Sequence, residues 1–262
     1  MVDQPTSYDL LGFKITAATK AQLMDFIAKS IEDDTKKFIV SQNVHGIYMF
    51  LTDENFRSLH RDGRTCVHID GTPIIWLGRL LGLPLDYRHR TGVRDWIMLL
   101  FETAAKRDWR VYYLGGEPEL LERGLKTIRR KVPAVRIAGH HGFFDANVKS
   151  SENLAILDQI NDFQPHVLLV GMGMGRQERW ITDNVDGLNV NCICTTGACM
   201  ELIAEKRRIP PRWMGRAGVE WVFRLGQSPR RLAWRYLVEP WLAAWLLLRY
   251  NLRLRSGTGR WR

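Results

Sequence analysis

Short runs of β-branched and aromatic residues punctuate the first 205 positions. Each is closed by Gly, Asp or Asn and followed by residues with helical spacing. Phe38–Ser41 (FIVS) leads to Asn43 and a helical run through Phe50. Thr65–Ile69 (TCVHI) stops at Asp70-Gly71. Arg110–Leu114 (RVYYL) stops at Gly115-Gly116 and opens a helix over Pro118–Lys131; Val135–Ala138 precedes the turn-rich Gly139–Gly142. His166–Val170 (HVLLV) runs into Gly171-Met-Gly-Met-Gly175, and Val190–Thr195 is followed by Gly197. Strands alternating with helices predict an α/β fold with a mostly parallel sheet covered on both faces. Ligands bind such sheets outside the carboxyl ends of the strands, where these glycines and acids fall. The same residues are what strand–helix turns are made of. Their repetition predicts a ligand crevice without naming the ligand.

The pattern changes beyond residue 205. Glu220–Gln227 has helical spacing, and Ser228-Pro229 predicts an N-cap with Pro at the first helical position. Trp234, Val238, Trp241, Trp245 and Leu248 then recur at steps of four and three, one apolar stripe of a helix. Pro240 is expected to kink or break it. The continuous apolar run Trp241–Leu248 is eight residues long, whereas a bilayer span needs about 20. This segment is expected to lie on a membrane rather than cross one. A core-packing helix or a dimer seam gives the same pattern.

Charge sharpens the division. The chain of 262 residues carries a net +10, yet residues 206–262 hold 14 Lys or Arg against Glu220 and Glu239, a net of +12. The body is therefore close to neutral, and the tail also holds six of the ten tryptophans. We expect a domain over 1–205 and a basic helical appendage over 206–262. Such an appendage suggests an anionic surface as partner, a membrane or a nucleic acid. Its arginines interleave with Trp and Leu instead of lining one regular basic face, so a membrane is expected and a nucleic acid is not. The N-terminal residues contain no secretion signal, and the four cysteines form no CxxC pair. Both features point to a reduced, cytoplasmic protein.

Several chemistries are excluded by missing motifs. There is no Walker A, HExxH or GxSxG sequence, and no Asp-x-Asp pair to hold a metal-bridged diphosphate. Cys192, Cys194 and Cys199 lack a fourth ligand at zinc spacing, so no metal is expected. Without one, phosphate must be neutralised by backbone N–H groups, helix N-termini and Arg or Lys. Gly171 and Gly173, in the turn before Arg176-Gln177-Glu178, form the best local nucleotide site. Gln177 and Glu178 in the first helical turn are candidates to bond a ribose, a base edge or a sugar hydroxyl, though such turns are as often packing devices. Asp70, ending a buried-looking strand, is the candidate general base; an Asp-Gly turn is its plainer reading.

The order of these segments adds what none carries alone. Asn43, His68-Ile-Asp70-Gly71, Arg90-Thr-Gly92, Tyr113-Leu-Gly-Gly116 and Gly171-x-Gly-x-x-x-Gln177-Glu-x-Trp180 are followed by Arg208-Ile-Pro-Pro-Arg-Trp213, Glu220-Trp-Val-Phe-Arg-Leu225, Pro229-Arg-Arg231 and Arg235-Tyr236. Over about residues 10–240 this resembles the WecG/TagA/CpsF glycosyltransferases (glycosyltransferase family 26). The resemblance implies a Rossmann-like core and an inverting, metal-independent, cofactor-free enzyme. Such an enzyme moves sugar from a UDP-sugar to a polyprenyl diphosphate-linked sugar, for teichoic acid linkage units, common antigen, capsule or exopolysaccharide. It implies Asp70 as the base, Ser41 where Thr is commoner, and Asn43, Gln177 and the Gly115-Gly116 turn in substrate binding. A phosphate-contacting arginine falls on Arg88 or Arg90, and arginines meeting the lipid diphosphate fall on Arg224, Arg231 and Arg235 of a membrane-docking appendage. The chain departs from the family at Gly175-Arg176 (usually Pro-Lys), at Thr196–Glu201 (usually Gly-Gly-x-Phe-Asp-Phe) and at Arg208-Ile-Pro210 (usually Arg-Ala-Pro). The sugar therefore does not carry over, and UDP-N-acetylmannosamine, its uronic acid and UDP-glucose all fit. A nucleotide-sugar dehydrogenase or epimerase is the alternative, but it requires a G-x-G-x-x-G fingerprint that is absent.

Overall fold

The computed structural model describes residues 4–205 and 210–255, with the side chains of Arg212, Arg231 and residues 250–255 outside the description. The chain begins β1 (Thr6–Leu10), β2 (Phe13–Ala17), α1 (Lys20–Glu32), β3 (Lys37–Gln42), α2 (Val44–Thr52), α3 (Glu54–Arg61), β4 (Thr65–Ile69), α4 (Thr72–Leu80) and α5 (Val93–Lys106). It continues β5 (Arg110–Gly115), α6 (Pro118–Lys131), β6 (Arg136–His140), α7 (Ser151–Phe163), β7 (Val167–Gly171), α8 (Arg176–Asn184), β8 (Cys192–Thr195) and α9 (Cys199–Ile203). Four C-terminal helices follow: α10 (Arg212–Arg216), α11 (Glu220–Gln227), α12 (Pro229–Ala233) and α13 (Glu239–Arg255), the last two joined by a π turn at Trp234–Val238.

The strands form one sheet in the order β1-β2-β4-β3-β8-β7-β5-β6. All pairings are parallel except β1 with β2. β4, β7 and β8 are buried along their whole length, as strands covered on both faces must be. The edge hairpin was invisible in the hydropathy pattern because β1 (TSYDL) is mostly polar and exposed. Its turn, Leu11-Gly12, has both residues at positive φ, the geometry that matches strand twist. Leu at the first of these positions hides the usual Asn-Gly signal.

Helices cover both faces. Leu23 and Ile27 of α1, Trp96 and Leu100 of α5, Leu125 and Ile128 of α6 and Met200 of α9 pack one side. Leu59 of α3, Ile156 of α7 and Trp180 of α8 pack the other. A third cluster joins α2, α3 and α4 to Ala243 and Leu247 of α13. Neighbouring strands β3 and β8 thus send the chain to opposite faces, through α2 and α9. Their diverging ends open a crevice at the topological switch point.

The C-terminal helices pack back onto this body. The predicted boundary after Glu205 adjoins residues 206–209, which lie outside the described residues, as does Arg208 of the Arg-Ile-Pro segment. α13 turns Ala243 and Leu247 towards α2, while the predicted Trp stripe faces outward, with Trp241 77% exposed. Pro240 does not break the helix. It has no N–H for the preceding turn, and the helix widens just before it, with the Glu239 N–H reaching the Trp234 carbonyl. Ser228 stands at the N-cap of α12, but its side chain makes no cap bond. Among the described residues no helix is long and apolar enough to cross a membrane.

Candidate functional site

Asp70 leaves the end of β4 and lines two adjoining cavities, of about 310 and 370 Å³. Its Oδ2 accepts a hydrogen bond from Asn43 Nδ2 at 3.1 Å. Asn43 is also the N-cap of α2, its Oδ1 accepting from the Gly46 N–H at 3.0 Å. Gly92 caps α5 beside the same carboxylate, and a Cβ there would stand 2.9 Å from Asp70 Oδ1. Burial alone would raise the Asp70 pKa. Arg224 across the cavity, with Asn43 and Arg90 adding, instead holds it below the ordinary carboxylate value.

The larger cavity runs along the strand ends, past Ser41, Gly173, Gln177, Thr196 and Gly197. Gln177 is fixed at both ends of its amide: Oε1 accepts from the Gly197 N–H at 3.1 Å, and Nε2 donates to Glu178 Oε1 at 2.7 Å. The other Glu178 oxygen accepts from the Gly175 N–H. Glu178 is buried, which pushes its pKa up to about 7. It braces the turn and Gln177 from behind and is not part of the lining of either cavity.

The smaller cavity lies between the body and the C-terminal helices, bordered by His45, Pro73, Trp221, Tyr236 and Pro240. Arg224 and Arg235 line both cavities alongside Asp70. Both arginines bring positive charge to the walls of the enclosed space. Such an arrangement suits an anion. The Arg231 side chain lies outside the description. Arg90, by contrast, is engaged: it donates to Glu220 Oε2 at 2.8 Å, and Arg94 donates to Glu220 Oε1 at 3.3 Å. Thr72 Oγ1 donates to the Gly215 carbonyl at 2.6 Å, and His45 pairs with Glu239. These contacts seat the C-terminal helices on the rim of the site.

The structure therefore brings together Ser41, Asn43, Asp70, Arg90, Gly173, Gln177, Arg224 and Arg235. It separates Arg88, whose side chain is 80% exposed and paired with Asp86 at 2.7 Å; the 3₁₀ turn Tyr87–His89 points it away. Gly115, Gly116 and Gly171 lie off both cavities. A Cβ on Gly115 would strike the Gly171 backbone, and one on Gly171 would strike the Tyr113 hydroxyl. These glycines let β5 and β7 approach at their ends. Sequence reasoning missed Glu220, Arg94 and His45. The signal for Glu220 was present: it is one of two acids in a segment of net +12, one helical turn before Arg224. Among the described residues, no three His, Cys, Asp or Glu side chains come together as a metal-ligand set.

The profile of the glycosyl transferase WecG/TagA/CpsF family matches residues 8–257, spanning both the sheet and the C-terminal helices. An N-acetylglucosaminyldiphosphoundecaprenol N-acetyl-beta-D-mannosaminyltransferase of Staphylococcus aureus strain MW2 is 24% identical over 226 residues, 86% of this chain and 86% of that protein. Proteins of the same name from strains NCTC 8325 and COL are 24% identical over 218 residues, 82% of this chain and 83% of each.

Proposed function

The chain belongs to the WecG/TagA/CpsF family of glycosyl transferases, and from that premise we propose that it moves a sugar from a UDP-sugar to a polyprenyl diphosphate-linked sugar. The observation that carries this reading is Asp70, placed where two cavities meet and opposite Arg224 and Arg235 of the C-terminal helices. The larger cavity, with Gly173, Gln177 and Gly197 at a switch point, takes the UDP-sugar. The smaller one takes the sugar-diphosphate end of the acceptor. The relatives' name specifies N-acetylglucosaminyldiphosphoundecaprenol, and we take the same acceptor class for this chain, in cell-envelope polysaccharide synthesis.

Asp70 removes the proton from the acceptor hydroxyl, whose oxygen attacks the anomeric carbon from the face opposite UDP and inverts it. The C–O bond to UDP breaks, and its electron pair leaves with the diphosphate. Free Asp70 is too acidic for an efficient base at neutral pH. Substrate phosphate draws on Arg224, the arginine that most depresses it, so binding itself raises its proton affinity. Neutralisation of phosphate by arginine and backbone N–H groups requires no metal. The basic, Trp-rich helices hold the enzyme on the anionic inner face of the membrane as a peripheral protein.

The test is acceptor-dependent UDP release from a panel of UDP-sugars in the presence of EDTA, with a short-chain polyprenyl diphosphate-sugar as acceptor. Release with one donor is expected, and Asp70→Asn should abolish it while sparing UDP binding. Full activity in that variant would remove Asp70 from the mechanism, and dependence on added metal would overturn the metal-free reading.

A further inference from the structure

Helix α4 belongs to the body of the protein, yet its outer face carries large apolar side chains, with exposed Arg79 the one charged residue of the helix. Ile74, Ile75 and Gly78 face the core. On the other side Trp76 is 49% exposed, Leu80 83%, and Leu81, which caps the helix, 47%. A surface helix ordinarily turns a polar face to water, whereas the outer face of this one is mostly apolar and stands bare. Elsewhere in the body the exposed large apolar side chains, Tyr87, Leu99, Phe143, Val148 and Leu154, are scattered along the chain, the pattern any soluble surface shows.

The surroundings of α4 say what the bare face meets. The Trp76 ring packs on Gly218, where a Cβ would strike it, and Thr72 bonds the Gly215 carbonyl. The outer face of α4 thus adjoins α10 and α11, which expose Trp213, Trp221 and Val222. The smaller cavity opens among the same elements, bordered by Pro73, Gly218 and Trp221. Exposed Arg216 lies between Gly215 and Gly218, in the segment of net +12. Tryptophan and leucine flanked by arginine match the boundary between anionic headgroups and acyl chains. A second copy fits poorly, because it would bring two strongly positive segments together.

We propose that α4 is a second membrane anchor, inserting Trp76, Leu80 and Leu81 into an anionic bilayer beside the mouth of the smaller cavity. With the C-terminal helices it fixes the orientation of the enzyme, so that the cavity faces the lipid surface instead of merely lying near it. The inference rests on the membrane association proposed above, and it adds to that reading a contact made by the catalytic body itself.

The experiment uses the full chain and vesicles of phosphatidylglycerol and phosphatidylcholine. Leu80→Asp/Leu81→Asp should weaken sedimentation with anionic vesicles roughly tenfold or more, with an unchanged far-UV spectrum. An environment-sensitive fluorophore on Leu80→Cys should shift to the blue on the same vesicles. Unchanged partitioning of the double variant, or an unshifted fluorophore, while the wild type binds, would overturn the proposal and leave a membrane contact through the C-terminal helices standing. Failure of the wild type to bind would remove both readings. A wild-type dimer in lipid-free solution that the double variant splits would also overturn the proposal, making this face an interface between copies.

Discussion

Asn43 illustrates why a particular side chain is needed. One position must accept a hydrogen bond from the Gly46 N–H and donate one to Asp70; a neutral amide does both from its two ends, whereas a carboxylate only accepts. Asn43→Asp should keep the helix cap but lose the bond to Asp70 and set a second carboxylate against it. Transfer at neutral pH should then fall about a hundredfold, read by UDP release. Glu178 makes a different prediction. Burial raises its pKa to about 7, so its protonated form favours the folded state. That contribution is complete below the ordinary value near 4.5 and is lost as pH rises through 7. His60 and His68, held near 4 by burial, act in the opposite sense, gaining stability as pH rises towards 6.5. The difference between wild type and Glu178→Gln isolates the glutamate. Denaturant unfolding should show the wild type losing on the order of 3 kcal/mol relative to the variant between pH 4.5 and 7.5. At this scale the sequence singled out Asp70, Asn43 and Gln177, and all three line the larger cavity. It did not separate Gln177 from Glu178, because adjacent residues on a helix point about 100° apart and only packing decides which one faces the cavity.

At the scale of elements, the strand-end glycines divide into two kinds that look alike in sequence. Gly115 and Gly171 sit where a side chain would strike neighbouring backbone or Tyr113, whereas nothing stands within 4 Å of a Cβ on Gly173. Gly171→Ala should therefore destabilise the protein by roughly 2 kcal/mol or more. Gly173→Ala should cost only about 1 kcal/mol for its positive φ while raising the KM for the donor. Melting curves and donor titrations distinguish the two. The helix at Pro240 carries the same lesson. Proline's missing N–H forbids regular helix locally, but a π turn one step earlier absorbs the mismatch. Whether a proline ends a helix depends on what holds the two sides in line, here the seating of α13 on α2.

At the scale of the whole molecule, Glu220 joins the two parts by receiving both Arg90 and Arg94. Glu220→Gln leaves two arginines short of their counter-charge. It should loosen the C-terminal helices by roughly 3 kcal/mol, seen as faster hydrogen exchange across α11–α13 with the sheet unaffected. By itself the sequence determined the parallel sheet, the strand ends that carry the site, the +12 segment and the family resemblance. These follow from local properties, namely apolar runs, turn residues, charge and motif order, that a chain displays without being folded. The tertiary structure alone decided which glycines pack and which line a cavity, and that Arg90 and not Arg88 turns inward. It also set the exposed Trp stripe opposite the face of α13 that meets α2. Each of these depends on the direction of a side chain relative to a distant neighbour, which arises only when elements far apart in sequence are packed together.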